Sequence, residues 1–231
     1  TTSVKSYVTG GQWHGISAPV TGLTAGDLMI GGTDVYLQQH DETSNAYSYV
    51  TSTSESLGAM EGFLMWIDGS TNTYTFTGSL NSGTPSTSVT KNGLGYNLVG
   101  NPWSSAIDWQ AASGWGGTST VSDNVWVYNG SAFTVYNRNT QAGDGSRYIA
   151  MNQGFFVEAS GAGTLTSTNA VCVHNSIAFK NPQVSDQQMI TLELTSSDMS
   201  DKTFIVFKEG ATSDYEGTYD AHKLFSFNDD Y

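Results

Sequence analysis

The chain has 231 residues, with 21 acidic against 8 basic side chains and a formal charge of −13, and its 26 glycines contrast with only 4 prolines. A field of this sign repels polyanions, so nucleic acid, which is held through clustered Lys and Arg, is not an expected partner. No stretch approaches the roughly 18 to 20 consecutive apolar residues that cross a bilayer as a helix, so no membrane insertion is expected.

Taken from the N-terminus, short strand signals recur with turn chemistry between them. Trp13-His14-Gly15-Ile16-Ser17-Ala18-Pro19 leads an aromatic residue through an apolar step into a proline corner. Val35-Tyr36-Leu37-Gln38 runs into a polar turn at 41–45 and returns through Ala46-Tyr47-Ser48-Tyr49-Val50, a hairpin by composition. Phe63-Leu64-Met65-Trp66-Ile67 is a continuous apolar run, suited to a strand covered on both faces. Thr73-Tyr74-Thr75-Phe76-Thr77 alternates, so one of its faces should meet solvent. Residues 81–94, rich in Gly, Ser and Thr, read as a connector.

The same order of signals then returns. Tyr96-Asn97-Leu98-Val99-Gly100-Asn101-Pro102 repeats the proline corner at an offset of 83, Asn124-Val125-Trp126-Val127 answers residues 34–37 at 90, and Gln153-Gly154-Phe155-Phe156 answers residues 61–64 at 92. Asn129-Gly130 predicts a type I′ hairpin turn between 125–128 and 132–136, because both central residues of that turn need positive φ. Residues 105–112, after Pro102 and before Gly114, form the single stretch that reads as a short helix. Beyond residue 174 neither copy continues: residues 189–194 and 202–207 predict a new hairpin, an acidic excursion follows at 214–220, and a last apolar stretch lies at 223–227.

This pattern predicts an all-β protein with very little helix: tandem duplicated β-sandwich-like units at 1–90 and 91–174, then a partial third β unit at 175–231 that reads as the start of a further domain. The single cysteine, Cys172, lies in Val171-Cys172-Val173, cannot form an internal disulfide and reads as a buried structural thiol.

For function, flat aromatic faces stack on sugar rings, and four tryptophans fall between 103 and 126. Trp115, in the Gly-rich loop 113–117, together with Trp103 and Tyr128, forms the expected ligand-binding set. Asp214, Glu216 and Asp220 share one loop and are the candidate ligands for calcium, a hard cation that takes oxygen donors. The carboxylates Glu55, Glu61, Asp68, Asp108, Glu158 and Glu193 form no pair that sequence can place across a cleft. His14, His40, His174 and His222 lack metal-ligand spacing, and the serine-nucleophile and His-Glu-x-x-His motifs are missing. No catalytic residue is expected.

The block Gly95-Tyr96-Asn97-Leu98-Val99-Gly100-Asn101-Pro102-Trp103-Ser104-Ser105-Ala106-Ile107-Asp108-Trp109, with Gln153-Gly154-Phe155-Phe156-Val157 and the tail pieces at 211–215 and 219–224, resembles modules of large exported surface proteins of Bacteroidota. The resemblance implies an extracellular or cell-surface location, export by the type IX secretion route and membership of a larger polypeptide. The expected function is non-catalytic adhesion or carbohydrate recognition, with a glycan or a surface protein as partner. A structural spacer or assembly component is the first rival, and a polysaccharide-degrading enzyme the second.

Overall fold

The computed structural model describes residues 1–29, 35–69, 72–174, 177, 179, 189–197 and 200–224. The first part of the chain supplies strands β1 (Thr2–Val8), β2 (Trp13–Ser17), β3 (Val20–Thr21), β4 (Val35–Asp41), β5 (Ala46–Tyr49), β6 (Gly62–Ile67) and β7 (Asn72–Leu80). The second supplies β8 (Ser86–Val89), β9 (Tyr96–Gly100), β10 (Ala106–Asp108), β11 (Trp115–Gly116), β12 (Asn124–Tyr128), β13 (Phe133–Asn137), β14 (Tyr148–Ile149), β15 (Gly154–Glu158), β16 (Gly163–Ser167) and β17 (Cys172–Val173). An exposed hairpin of β18 (Met189–Thr195) and β19 (Ser200–Val206) follows. The fold is all-β: the α-helix among the described residues is the single turn α1 (Ala25–Leu28).

Each part pairs a three-stranded sheet with a four-stranded one. The orders are β1-β7-β3 with β2-β6-β4-β5, and β8-β16-β11 with β9-β15-β12-β13, so corresponding strands hold corresponding places. The period of two in each strand sorts the side chains. Ile16, Val35, Leu37, Phe63, Met65 and Ile67 from one sheet meet Val4, Val8, Val20 and Phe76 from the other in the first core. Val99, Val125, Phe155 and Val157 meet Val89 and Leu165 in the second, where Trp103, Ile107 and Trp109 add bulk.

Several expectations change in three dimensions. Residues 81–94 are not a plain connector, because β8 lies within them and pairs with β16, so the second unit begins before residue 90. Residues 105–112 are not helical. Ala106–Asp108 is instead the central strand of a sheet of β14, β10 and β17, with Ile107 fully buried and Asp108 paired to Arg147; two-sided strand pairing outweighs a weak helical preference. The hairpin at Asn129-Gly130 is not type I′, since Asn129 N donates to Ala132 O and, of the two central residues Gly130 and Ser131, only Gly130 has positive φ. Asn129 instead caps the turn by accepting from the backbone of Ser131 and Ala132. Finally, Trp126 pairs with Phe156 whereas Gln38 pairs with Leu64, so β4 and β12 correspond at an offset of 88, two residues from the sequence match. Such a slip keeps every side chain on its face.

The two units meet through the faces of the four-stranded sheets that point away from their cores. Contacts there come in reciprocal pairs. Ser17 N donates to Asn152 O and Gly100 N to Met60 O, while Ile16 bridges Gln153 and Val99 bridges Glu61. Met60 and Asn152 both hold positive φ, at 65° and 61°. The proline corners are tied together as well: Asn81 Nδ2 donates to both Ala18 O and Pro102 O.

Asn101 anchors the second corner. Fully buried, it donates Nδ2 to Ser105 O and Ala150 O and accepts at Oδ1 from Trp103 N. Removing a buried group with several partners leaves each of them desolvated. Asn101→Ala should therefore cost about 3 kcal/mol, seen in urea melts as a lower midpoint at unchanged slope.

Candidate functional site

The expected ligand-binding rings do not form a binding face. Trp103 is 7% exposed and donates its indole N–H to Ser167 Oγ at 3.0 Å, as part of the second core. Tyr128 is 4% exposed, tilts against Phe133 and donates its hydroxyl to Gly130 O. Trp115 is half-buried, edge-on to Trp109 at 4.9 Å, with its N–H on Asp108 O at 2.8 Å. Its Gly-rich loop is strand β11 paired to β16 rather than a free tip. Trp103 and Trp115 are held by packing in the second core, and Tyr128 by its own hairpin.

A different set of rings lies on the surface. On the outward face of the β2-β6-β4-β5 sheet, Trp13 pairs across strands with Trp66, and Trp66 with Tyr36. Tyr49 continues the row on β5 beside Gln38. The Trp13 and Trp66 rings sit 5.6 Å apart at 60°, and those of Tyr36 and Tyr49 6.3 Å apart at 71°. Together the four line an open trough of about 240 Å³. Tyr36 is 42% and Tyr49 59% exposed, while the two tryptophans are half-buried. Trp66 is oriented by its neighbour, because its indole N–H donates to Asp68 Oδ1 at 2.7 Å. Exposed aromatic faces whose orientation is fixed by the sheet beneath them suit stacking on a flat apolar partner, since little side-chain freedom is lost on contact.

The corresponding face of the second unit is occupied. Tyr96 and Glu158 stand at the places of Trp13 and Trp66, and continuing the Trp126–Phe156 register sets Asn124 opposite Glu158, at the place of Tyr36. Over these positions runs a strap of residues 215–224. Asn124 Nδ2 donates to Gly217 O and Asp220 O, Asn137 Nδ2 to Thr218 O, and the Trp126 indole to His222 O. Tyr215 stacks on His222 and donates to Glu158 Oε2 at 2.7 Å. Burial, followed by the nearby Glu158 charge, pushes the Tyr96 hydroxyl up to about 12, and burial with the Glu158 hydrogen bond raises Tyr215 strongly.

Of the acidic residues expected to bind calcium, Glu216 and Asp220 belong to this strap and Asp214 directly precedes it, its carbonyl accepting from Thr212 Oγ1. Glu216 N donates to Asp220 Oδ2, and Glu216 Oε1 accepts from Thr212 Oγ1, so these carboxylates close local turns. Among the described residues no three His, Cys, Asp or Glu groups converge as a metal site. The remaining carboxylates are dispersed. Glu61 accepts from Gly58 N, Asp108 pairs with Arg147, Glu158 with Tyr215, and Glu193 with Lys202. Two histidines serve packing: His14 is buried and its Nε2 lies 2.7 Å from Thr9 O, and His40 sits edge-on to Phe156, where burial lowers its pKa. Cys172 is half-buried against the second core, less enclosed than expected.

Sequence reasoning missed Trp13, Tyr36, Tyr49 and Trp66. A partial signal was present: Val35 and Leu37 flank Tyr36, and Met65 and Ile67 flank Trp66, so strand alternation alone puts both rings on the side away from the core. Their juxtaposition with Trp13 and Tyr49 requires the strand order.

The fold and this site define an all-β protein with an open aromatic trough on one sheet and, among the described residues, no helix able to cross a membrane. Comparison finds no protein-family model, curated protein or solved structure that matches the chain.

Proposed function

We propose that this protein is a non-catalytic recognition module of an exported cell-surface protein, and that it holds a glycan in the trough lined by Trp13, Tyr36, Tyr49 and Trp66. The observation that carries the reading is the contrast between corresponding parts of the two outward sheet faces, beyond the junction of the units, one closed by the strap and the other open and aromatic. The common strand order and reciprocal contacts support descent of both units from one duplicated element. After such a duplication one face became structural and the other is left to recognise a ligand. The resemblance to Bacteroidota surface proteins supports export by the type IX route and a place in a larger polypeptide. The β18–β19 hairpin agrees with the latter, since Ile190, Leu192 and Leu194 line one of its faces and are exposed, Leu194 at 79%.

Binding to a glycan array, followed by calorimetry on the best ligand, tests the reading. One site per chain is expected. Trp66→Ala and Trp13→Ala should each weaken binding about tenfold or more, as loss of a central aromatic anchor does. Trp115→Ala should lower stability and leave the affinity of the folded fraction unchanged. An array on which no glycan binds would favour the spacer reading.

A further inference from the structure

Resting on that reading, we infer that the trough selects glycans by charge, preferring chains with free amino groups over neutral ones and rejecting uronates and sulfates. The trough is lined by aromatic rings, whose π-faces are negative and attract ammonium groups. Hydrogen-bonded to the lining residue Trp66 is Asp68, exposed, with one carboxylate oxygen on the indole N–H. An ionised carboxylate has about four acceptor positions and no donor, so Asp68 retains capacity for an ammonium or a hydroxyl and repels another anion. None of the four lining residues is basic. The chain's formal charge of −13 extends the same preference to the approach of the ligand. The trough therefore has acceptors for cations and faces for sugar rings, and its described lining carries no basic side chain to neutralise a carboxylate or sulfate.

Calorimetry on the full chain tests this with three oligosaccharides of equal length: a glucosamine chain below the pKa of its amines, its fully N-acetylated counterpart, and an oligouronate. The glucosamine chain should bind about fivefold to tenfold more tightly than the acetylated one, a margin supplied mostly by an ammonium contact with the Asp68 carboxylate, the rings alone adding about twofold or less. That margin should shrink with added salt. Asp68→Asn should bring the two within about twofold, and Trp66→Ala should remove both, which separates the trough from diffuse attraction to an acidic surface.

Acetylated chains binding as well as amino chains, or a preference that survives Asp68→Asn, would overturn the charge selection and leave glycan recognition standing. Tighter binding of the oligouronate would do the same. Failure of all three, with no array ligand, would remove the recognition reading itself. A synthetic peptide of residues 211–224 that bound the trough where no sugar did would replace both with a protein partner resembling the strap.

Discussion

Gly62→Ala should lower stability by about 2 to 3 kcal/mol, a loss of roughly 5–10 °C in Tm for a chain of this size. A methyl group there would lie 2.5 Å from Val99 O and 2.7 Å from Leu98 Cγ, across the junction of the two units. The first of those obstacles is backbone held in strand β9, and it cannot turn aside. The reciprocal change, Gly154→Ala, brings a methyl 2.8 Å from Ile16 O and should produce a similar loss. Neither glycine has positive φ, so the penalty comes from crowding between sheets and not from backbone strain. Gly161→Ala supplies the control: it meets nothing within 4 Å and has no positive φ, so it should be neutral or slightly stabilising. Thermal melts of the three variants decide the matter. Equal Tm values for Gly62→Ala and Gly161→Ala would mean that the sheets do not meet as described.

The second large effect concerns Glu42, at the start of the β4–β5 turn, which reaches from the first unit into the 90–95 loop of the second. Its carboxylate accepts from Thr90 Oγ1, Asn92 N, Gly93 N and Gly95 N, all between 2.7 and 2.9 Å. Burial alone would raise its pKa, but the three backbone N–H groups and the Thr90 hydroxyl together outweigh that and hold it at about 2. The folded carboxyl therefore has a lower pKa than the unfolded one. Its contribution is fully present above about pH 4.5 and disappears as the pH falls toward about 2, because the unfolded chain takes up the proton first. Glu42→Gln should cost about 2 to 3 kcal/mol near neutrality, since the amide replaces an acceptor by a donor facing N–H groups. Urea midpoints of the two proteins should converge as the pH drops from 5 to about 2. A constant gap across that range would show that the carboxylate charge does not hold the two units together.

Much of the fold could be read in the residues. Both hairpins, at Val35–Asp41 with Ala46–Tyr49 and at Asn124–Tyr128 with Phe133–Asn137, fall where alternating aromatic and β-branched residues flank turn residues. The two Gly-Phe strands were legible for the same reason, and so was the C-terminal hairpin. Short-range signals of this kind depend only on neighbouring side chains. Of the last apolar stretch, expected at 223–227, residues 225–227 lie outside the described residues, and 223–224 are not in a strand.

What failed was long-range. β8 looks like linker because Ser86-Thr87-Ser88-Val89 has little apolar content, yet β16 pairs with it from 74 or more positions away. Ala106–Asp108 looks helical because its strand character comes entirely from the partners on its two sides. The candidate site failed in the same way. Trp103, Trp115 and Tyr128 stood out by local density or by a glycine-rich setting, and density of aromatics does not distinguish a core from a platform.

The sequence by itself determined the class of the fold, the places of most strands and, through the period of two, which side chains share a face of each strand. Only the tertiary structure decided which of those faces is covered. Covering depends on segments distant in sequence: residues 215–224 lie over Tyr96, Asn124 and Glu158, whereas Trp13, Tyr36 and Trp66, at the corresponding places, line an open trough. Local pattern reports which side chains are apolar, and burial is settled by what packs against them.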